Sequence, residues 1–576
     1  MKLSIIGFSG EQPRVLPNML PDAGAREAWD VRLDDGGLTP TRKPVVAAAV
    51  TPGHRTIYRH AGTWLSRAGD VHFAPGPVAQ DRLYYTGDGA PKMMVGGTVY
   101  PLAVPQPAGA LTATLGGAGT GDVATRLYAY TWVTDFGEES EPSPASNSVD
   151  WRAGQTVTLS GFAAPPAGRG VTKQRIYRTQ TGKVGTYLYL IAERGATNAN
   201  FVDVVPVDAL QEALPSADWT APPASLKGLI GMPNGMMAAF DGRDVYFCEP
   251  WRPHAWPEKY VLTTDWPVVG LAAIGSTMLI MTEGSPYVAA GNHPAEMIMK
   301  RLELDLPCIN ARGIVNLGFA VCYPSHDGLV SMSASGGAQI VTGNLFSKER
   351  WLSFSPQTAV AGRLGGRYVL FYDRTIDGVR DAGGFAIDLA GQAFLVRHSV
   401  VAAAVWYELA TSRLFYVPPG SGEVLELQPV EGAPNTLTWS SKEFLLPIPH
   451  NFGVLRIDSY AGLSASDQSA IAAERQQVLA AMAADTTDWG GPVNGSEVNA
   501  QPVNGDAYTA RLNATMGPDF EAMIKADGEV VSTTRRLDEA IRLPPGFTAR
   551  TWEVSIRTNV SIKQITMATT MADLRA

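Results

Sequence analysis

A repeat between residues 225 and 440 constrains the fold of this chain more than any other feature. Short apolar segments recur there, each followed by a turn and a more hydrophobic second strand. A period of about 40–50 residues with several strands per unit is typical of β-propellers. The sequence therefore predicts propeller blades here, with further blades from residues 45–100 and from the C-terminal strands. The segments open at Leu229, Leu271, Ile314, Val360 and Ala404, and the second strands are 236–240, 278–281, 319–323, 368–372 and 414–417.

The composition agrees with a mainly β protein. Of 576 residues 45% are hydrophobic and 18% charged, so the chain lacks the composition of a disordered segment. The 59 glycines and 41 prolines supply the turn residues that a chain of many short strands needs. At about 150 residues per domain, the length predicts three or four domains.

Charge and cysteine usage exclude several classes of protein. The net charge of −9 disfavours a protein that grips DNA by neutralising phosphates, although duplex DNA could slide past such a surface. Three cysteines, Cys248, Cys308 and Cys322, are too few for a disulfide framework and are expected to be small buried apolar residues in a reducing cytoplasm. Neither a secretory signal nor a membrane-spanning segment is expected.

Residues 1–44 are expected to form an extended N-terminal arm followed by a hairpin. Pro13, Pro17 and Pro21 hold the chain extended, and Asp22 is placed to cap a short helix through Ala28. The run Asp34-Asp35-Gly36-Gly37 between two apolar triplets is a hairpin signal. The arm either lies along a neighbouring surface or simply leads into the first strand.

The rest of the chain divides into five further segments. Residues 45–104 are predicted to contribute strands to the propeller, 105–224 to hold a linker and a sandwich domain, and 225–460 to hold propeller blades. A helix and loop insertion is predicted at 461–505, and strands that close the body at 506–576. The glycine run within the linker, Gly116 to Gly121, lacks the Gly-Lys-Ser/Thr of a phosphate loop and is interpreted as flexible.

The sandwich domain shows one distinctive strand and exit loop. The strand 127–133 alternates aromatic residues, and Phe136-Gly137-Glu138-Glu139-Ser140-Glu141-Pro142-Ser143 follows it. This pair resembles the penultimate strand and exit loop of fibronectin type III domains, although here the strand comes first. The acidic residues Glu138, Glu139 and Glu141 are interpreted as a solvated loop.

The helical insertion is predicted at 464–484, capped by Ser464 or Ser466, with apolar residues on one face and alanine elsewhere. Two Asn-Gly turns follow, at Asn494-Gly495 and Asn504-Gly505. They are candidate gate or contact loops.

No catalytic, cofactor or metal site is predicted. The eight histidines form no metal spacing, and Ser325-His326-Asp327-Gly328 holds triad residue types too close in sequence to face one another, so it predicts a turn between blade strands with Asp327-Gly328 at its tip. Glu303 and Asp305 alternate with leucines, which would place both carboxylates on one face of a strand, as a glycosidase pair or as an ordinary half-exposed strand. Arg535, Arg536 and Arg542 are a small basic group, interpreted as solvated.

Two sets of short motifs stand near the ends of the chain. They are Pro13-Arg14, Leu20-Pro21, Ala25, Ala28, Leu33, Gly36, Leu38 and Pro40, then Trp552-Glu553-Val554, Met567-Ala568-Thr569 and Met571-Ala572-Asp573-Leu574. These motifs resemble the two ends of the tail nozzle proteins of short-tailed bacteriophages, also known as tail tubular or DNA-stabilisation proteins. The resemblance implies a structural, non-enzymatic virion protein that forms a homohexamer below the adaptor ring of the tail. It also implies attachment of fibres or a tip protein, and a lumen that retains and then passes double-stranded DNA.

A second hypothesis is a propeller-type tail protein that binds or hydrolyses host-surface glycans. It requires a convincing carboxylate constellation, for which Glu303 and Asp305 are the candidates.

Overall fold

The computed structural model describes residues 1–181, 186–209, 211–389, 393–460 and 519–575, with a few isolated positions between 469 and 480. The predicted helix at 464–484 lies largely outside the described residues, and both Asn-Gly turns lie wholly outside them. The described chain is mainly β, as predicted, and its strands form a propeller, a sandwich and a third unit, the body, built from both ends of the chain.

The first 44 residues belong to the body. The predicted hairpin is confirmed, because residues 31–32 pair with residues 39–40 across the Asp34–Gly37 turn. The predicted helix ending at Ala28 is wrong, since residues 25–29 form a strand. The strands are β1 (Lys2–Ile6), β2 (Ala25–Trp29), β3 (Val31–Arg32) and β4 (Thr39–Pro40), with a 3-10 turn at Pro17–Met19.

A β-bulge explains why β2 looks helical in sequence. The register of β2 against a later strand shifts between Ala25 and Glu27, so one extra residue is inserted there. Ala25 and Ala28 are consequently both buried although they are three residues apart. That spacing is the one a helix would give.

Residues 45–101 supply strands to the propeller, as predicted. Each strand is a short run containing hydrophobic residues, and turns that contain glycine separate the runs. The strands are β5 (Val45–Ala49), β6 (Thr56–His60), β7 (Thr63–Arg67), β8 (His72–Pro75), β9 (Arg82–Thr86), β10 (Lys92–Val95) and β11 (Thr98–Pro101).

The sandwich follows, and its two three-stranded sheets enclose one core. The interpretation of Gly116 to Gly121 as flexible linker is wrong, because these residues end one strand and begin the next. A side chain at Gly119 would lie 2.6 Å from the Arg152 side chain, so the turn is closely packed. Likeness to fibronectin type III stays a prediction. The strands are β12 (Thr112–Gly116), β13 (Thr120–Arg126), β14 (Tyr128–Thr134), β15 (Val149–Ala153), β16 (Thr156–Ser160), β17 (Val171–Thr181), β18 (Thr186–Gly195) and β19 (Phe201–Asp203).

The repeat at 225–440 forms five consecutive sheets, and each predicted second strand is confirmed. One helix, α1 (Lys348–Leu352), lies among them, capped by the Ser347 side chain. The strands are β20 (Lys227–Gly231), β21 (Met237–Asp241), β22 (Asp244–Phe247), β23 (Leu262–Thr263), β24 (Val268–Ile274), β25 (Thr277–Thr282), β26 (Tyr287–Ala290), β27 (Ile298–Arg301), β28 (Val315–Asn316), β29 (Ala320–Ser325), β30 (Gly328–Ser333), β31 (Ala338–Ile340), β32 (Val360–Leu364), β33 (Arg367–Ile376), β34 (Val379–Asp388), β35 (Phe394–His398), β36 (Ala404–Glu408), β37 (Arg413–Val417) and β38 (Glu423–Leu427). Short 3-10 turns lie at Glu258–Tyr260, Pro294–Glu296 and Ala311–Gly313.

Seven sheets close into a ring, so the propeller has seven blades. In chain order they are β6–β7, β8–β11, β20–β23, β24–β27, β28–β31, β32–β35 and β36–β38. A separate apolar core lies between each blade and the next, including the last blade and the first. β5 completes the last blade as its outer strand, so a segment from the start of the chain closes the ring.

The C-terminal strands form the body and not further blades, which corrects one expectation. They pair with β1 and β2, and Trp439, Trp552 and Ile565 share one core with Ala25 and Ala28. The strands are β39 (Leu437–Ser441), β40 (Phe444–His450), β41 (Val454–Ser459), β42 (Phe520–Ala526), β43 (Glu529–Thr534), β44 (Ala540–Arg542), β45 (Ala549–Thr558) and β46 (Ile562–Ala568), followed by a helix, α2 (Met571–Arg575).

The buried carboxylate of Glu11 joins the body to the propeller. The Glu11 backbone exchanges two hydrogen bonds with Leu395 of β35, at 2.8 and 3.1 Å. The Glu11 side chain, 1% exposed, accepts from Arg397 Nε at 2.8 Å and from the Ala28 amide at 2.8 Å. β35 also pairs with β2, so the sixth blade and the body share one continuous sheet.

We expect Glu11→Ala to lower the free energy of unfolding by about 3–5 kcal/mol, because it leaves the Arg397 guanidinium and a buried amide without their acceptor. Urea denaturation followed by tryptophan fluorescence measures the change. Glu27→Ala, an exposed carboxylate nearby, is the control and should change stability by less than about 0.5 kcal/mol. Equal losses in the two variants would contradict the role given to Glu11.

Candidate functional site

The segment after β14 is fixed along the edge of that strand by serines spaced three residues apart. Pro142 and Pro144 hold the segment extended between them. Each serine amide donates to a β14 carbonyl, and each serine Oγ accepts from a β14 amide. The backbone bonds join Ser140, Ser143 and Ser146 to Trp132, Tyr130 and Tyr128 at 2.9, 2.8 and 2.8 Å.

This ladder aims Glu138 into the junction between the sandwich and the propeller. Glu138 is 5% exposed and accepts a hydrogen bond from Arg169 of the sandwich. Its other oxygen lies 3.8 Å from Arg82 Nη1 of β9 and 4.0 Å from His254 Nδ1 of the next blade. The interpretation of this acidic run as a solvated loop is therefore wrong for Glu138. We call Arg82, Glu138, Arg169 and His254 the interdomain cluster.

Glu139 is buried on the sandwich side of the same junction. Its carboxylate accepts from Arg175 at 2.9 Å, from Tyr177 Oη at 2.6 Å and from Thr131 Oγ1 at 2.7 Å. Its backbone oxygen lies 3.0 Å from His254 Nε2. Two consecutive glutamates thus face different modules, and both are neutralised by arginines.

The interdomain cluster is crowded with polar atoms. Glu138 Oε1, Arg169 Nη1 and His254 Nδ1 are buried and have no hydrogen-bond partner in the described part of the chain. Burial lowers the pKa of His254 to about 4, against the opposing effect of Glu138. Burial, with a contribution from Glu138, raises the pKa of the neighbouring Tyr84 to about 12. Near neutral pH the histidine is uncharged and the junction is locked by Glu138 and its arginines.

A second concentration of polar side chains lies at one end of the propeller axis. The loops that precede the inner strands β6, β8, β28, β32 and β36 converge there. A cavity of about 190 Å³ lies among these strands, and a cavity of about 700 Å³ opens beside it. Arg55, Asp70 and Arg312 line both cavities.

Arg312 holds three blades together at this end. Its Nη2 donates to the carbonyl oxygen of Arg55 at 3.1 Å and to that of Ala403, while Nε lies 3.4 Å from Asp70 Oδ1. Arg55 Nη2 lies 3.5 Å from the other Asp70 oxygen. We call Arg55, Asp70, His72 and Arg312 the axial site.

A third cavity, of about 480 Å³, lies on the open face of the body sheet. Charged residues of both signs line it, but many of them are paired with one another. Arg26 and Lys525 contact Glu553, and Arg397 contacts Glu11. These contacts stabilise the sheet and leave little free charge for a ligand.

The carboxylates predicted as a glycosidase pair are not arranged as expected. The strand β27 ends at Arg301, so Glu303 and Asp305 lie on an irregular loop and not on one strand face. Both are exposed, Glu303 by 86%, and Glu303 approaches only Arg301, at 3.9 Å. The loop reaches the 700 Å³ cavity at Pro307, two residues after Asp305, and neither of these two side chains lines it.

The other predicted residues lie at three separate places. Ser325 ends β29 and Gly328 begins β30, so the predicted turn is confirmed, but its tip is His326-Asp327. Arg535, Arg536 and Arg542 are exposed, as interpreted. Cys248, Cys308 and Cys322 are buried and unpaired, also as expected, and burial raises the pKa of each thiol to about 12.

Within the described ranges, no three His, Cys, Asp or Glu side chains group as metal ligands. In the same part of the chain, no helix has the length and apolar character needed to cross a membrane.

Comparison with known proteins finds propellers at low similarity. No family model and no curated protein matches the chain. BamB from Moraxella catarrhalis is similar at 10% identity and a TM-score of 0.29, over 68% of this chain and 99% of its own. The Cps50 (Swd1) β-propeller domain from Myceliophteria thermophila is similar at 11% identity and a TM-score of 0.23, over 46% of this chain and 89% of its own. The glutaminyl cyclase from Myxococcus xanthus is similar at 13% identity and a TM-score of 0.21, over 35% of this chain and 89% of its own. The seven-bladed arrangement rests on the sheet order described above.

We expect docking of the sandwich to weaken in acid. If undocking exposes His254, its pKa returns from about 4 toward 6.5, so the undocked state binds a proton first as the pH falls. The free energy of docking then has its full value above pH 6.5, and it weakens by about 3 kcal/mol as the pH falls from 6.5 to 4. Calorimetric melting temperatures between about pH 7 and about pH 4.5 measure this loss.

His254→Gln removes the titrating group and should flatten the dependence of melting temperature on pH. His326→Gln, at an exposed turn, is the matched control and should leave the slope unchanged. An unchanged slope in His254→Gln would show that other groups titrate at the junction.

Proposed function

We propose that this chain is a structural subunit of the tail nozzle of a short-tailed bacteriophage and not an enzyme. One observation carries the proposal. The two segments that carry the resemblance to nozzle proteins, near residues 13–40 and 552–574, are far apart in sequence but pack together in the body.

The resemblance coincides with the residues that define the body. Ala25, Ala28 and Leu38 share one core with Trp552 and Met567, among other members. The Leu38 and Ile562 backbones exchange two hydrogen bonds, at 2.9 and 2.8 Å. The pattern at the two ends of the chain therefore marks positions whose packing builds a single unit, which supports a shared fold with the nozzle family.

The joints between modules suit a conduit wall. Glu11 joins the body to the propeller, and the interdomain cluster joins the sandwich to it, each through buried charged groups. Because breaking a buried ion pair costs several kcal/mol, such joints hold the modules at fixed angles. A wall that retains DNA under pressure needs that stiffness.

In this proposal six copies form a ring below the adaptor ring of the tail, and fibres or a tip protein attach to the ring. The net charge of −9 makes the surface repulsive to phosphates on average. Double-stranded DNA would pass through without sequence recognition or tight binding. The subunit would be assembled in the bacterial cytoplasm and end in the virion, with no cofactor.

A second candidate is a propeller that binds or hydrolyses glycans. The 700 Å³ cavity at the propeller axis favours it, since ligand sites commonly have about 300–1,000 Å³. Its predicted carboxylate pair, Glu303 and Asp305, lies outside that cavity. Two other carboxylates, Asp70 and Glu283, do line it. Glycan hydrolysis lost on Asp70→Asn or Glu283→Gln would favour this candidate over the nozzle.

The nozzle proposal predicts a six-fold ring. Light scattering should give a mass of six times 61.4 kDa, and electron microscopy a central hole that admits duplex DNA. If the purified protein is monomeric, adding the adaptor ring should drive assembly. Monomers that stay monomeric with the adaptor present would overturn the proposal.

A further inference from the structure

The axial site carries more positive charge than its own carboxylate neutralises. Two guanidinium groups, Arg55 and Arg312, share the single carboxylate of Asp70. Their contacts of 3.5 and 3.4 Å are longer than the 2.7–2.9 Å typical of a charge-assisted hydrogen bond. Asp70 therefore sits between the two arginines without pairing closely with either.

The environment of Arg312 shows the same imbalance. Burial, with the like charge of Arg55, lowers the pKa of Arg312, and Asp70 opposes this shift without cancelling it. A cation whose charged form is disfavoured in this way gains stability from an added anion.

His72 supplies an unused polar atom beside these groups. It lines the 190 Å³ cavity from β8, and its buried Nδ1 has no hydrogen-bond partner among the residues that the structure describes. A buried polar atom without a partner is costly, so such an atom in a residue that lines a cavity indicates a bound group.

We propose that the axial site binds an oxyanion, either free phosphate or the phosphate group of a larger molecule. Guanidinium groups are the side chains best suited to oxyanions, because their N–H groups match the spacing of two oxygens. The anion lies in the 190 Å³ cavity against Arg55, His72 and Arg312. The 700 Å³ cavity beside it has room for the rest of a larger ligand.

A purely structural role accounts for Arg312 but not for Arg55. Arg312 ties three blades through carbonyl oxygens. The Arg55 side chain is 54% exposed, and among the described residues its guanidinium reaches only Asp70, at the hydrogen-bond limit. Its place at the mouth of both cavities suits a group that meets a ligand. This inference does not depend on the proposed nozzle function.

Calorimetric titration of the full chain with sodium phosphate, against sodium chloride at matched ionic strength, tests the site. We expect saturable phosphate binding that weakens about tenfold or more in Arg55→Gln, because one charge-assisted donor is lost. Arg413→Gln, which removes an arginine from a surface ion pair with Glu426 outside the cavities, is the matched control and should bind like the original protein.

A second variant keeps the test independent of Arg55. Asp70→Asn removes the competing carboxylate, so phosphate should bind at least as tightly as before. Glycerol phosphate separates the two sources: tighter binding than phosphate assigns the outer cavity to the rest of a larger ligand, and equal binding assigns the site to free phosphate. No heat beyond that of chloride, or equal phosphate affinity in Arg55→Gln and Arg413→Gln, would overturn the proposal.

Discussion

Buried carboxylates matched to arginines determine how the modules of this protein are joined. Glu11 lies between the body and the sixth blade, and Glu138 lies between the sandwich and two other blades. Each accepts from an arginine in a place where water is largely excluded, so neither can lose its partner without a large cost. An apolar contact of similar area would tolerate sliding, whereas a hydrogen-bonded carboxylate fixes direction as well as distance. We infer that these charges set the orientation of the modules, while the apolar cores set their stability.

The ring was predictable because each blade carries its own local signal. A short apolar strand, a turn and a more hydrophobic strand recur, and glycine turns separate them. Periodicity alone therefore located the second strand of each of the five blades between residues 236 and 417. The helix expected through Ala28 shows where periodicity fails, since a bulge gave a strand the spacing of a helix. The C-terminal strands were misplaced for a different reason. A strand pattern shows that a segment pairs, but it does not show which sheet it joins.

The candidate sites were far less predictable, because their members meet only through the fold. Glu138 and Arg169 are 31 residues apart, and Arg312 contacts the Arg55 carbonyl across 257 residues. One local signal was present: serines at 140, 143 and 146 with intervening prolines indicate a segment fixed against a strand edge, where adjacent glutamates need not be solvated. For Glu303 and Asp305 the error was the opposite, because they were expected on one face of a strand and lie on an exposed loop. Their alternation with leucines suggests a strand, yet β27 ends before them and both remain in solvent.

Ring closure and body formation both need the first fifty residues and the last third of the chain together. β5 completes the blade that ends at Leu427, Glu11 pairs with β35, and β1 pairs with β46. Contacts of such sequence separation form late, because their loop-closure entropy must be met before they stabilise anything. The propeller therefore cannot close from its central repeats alone, and the body cannot form until β46 has been made. Any assembly of copies must accordingly begin from complete folded subunits, whose joints are already locked by Glu11 and Glu138.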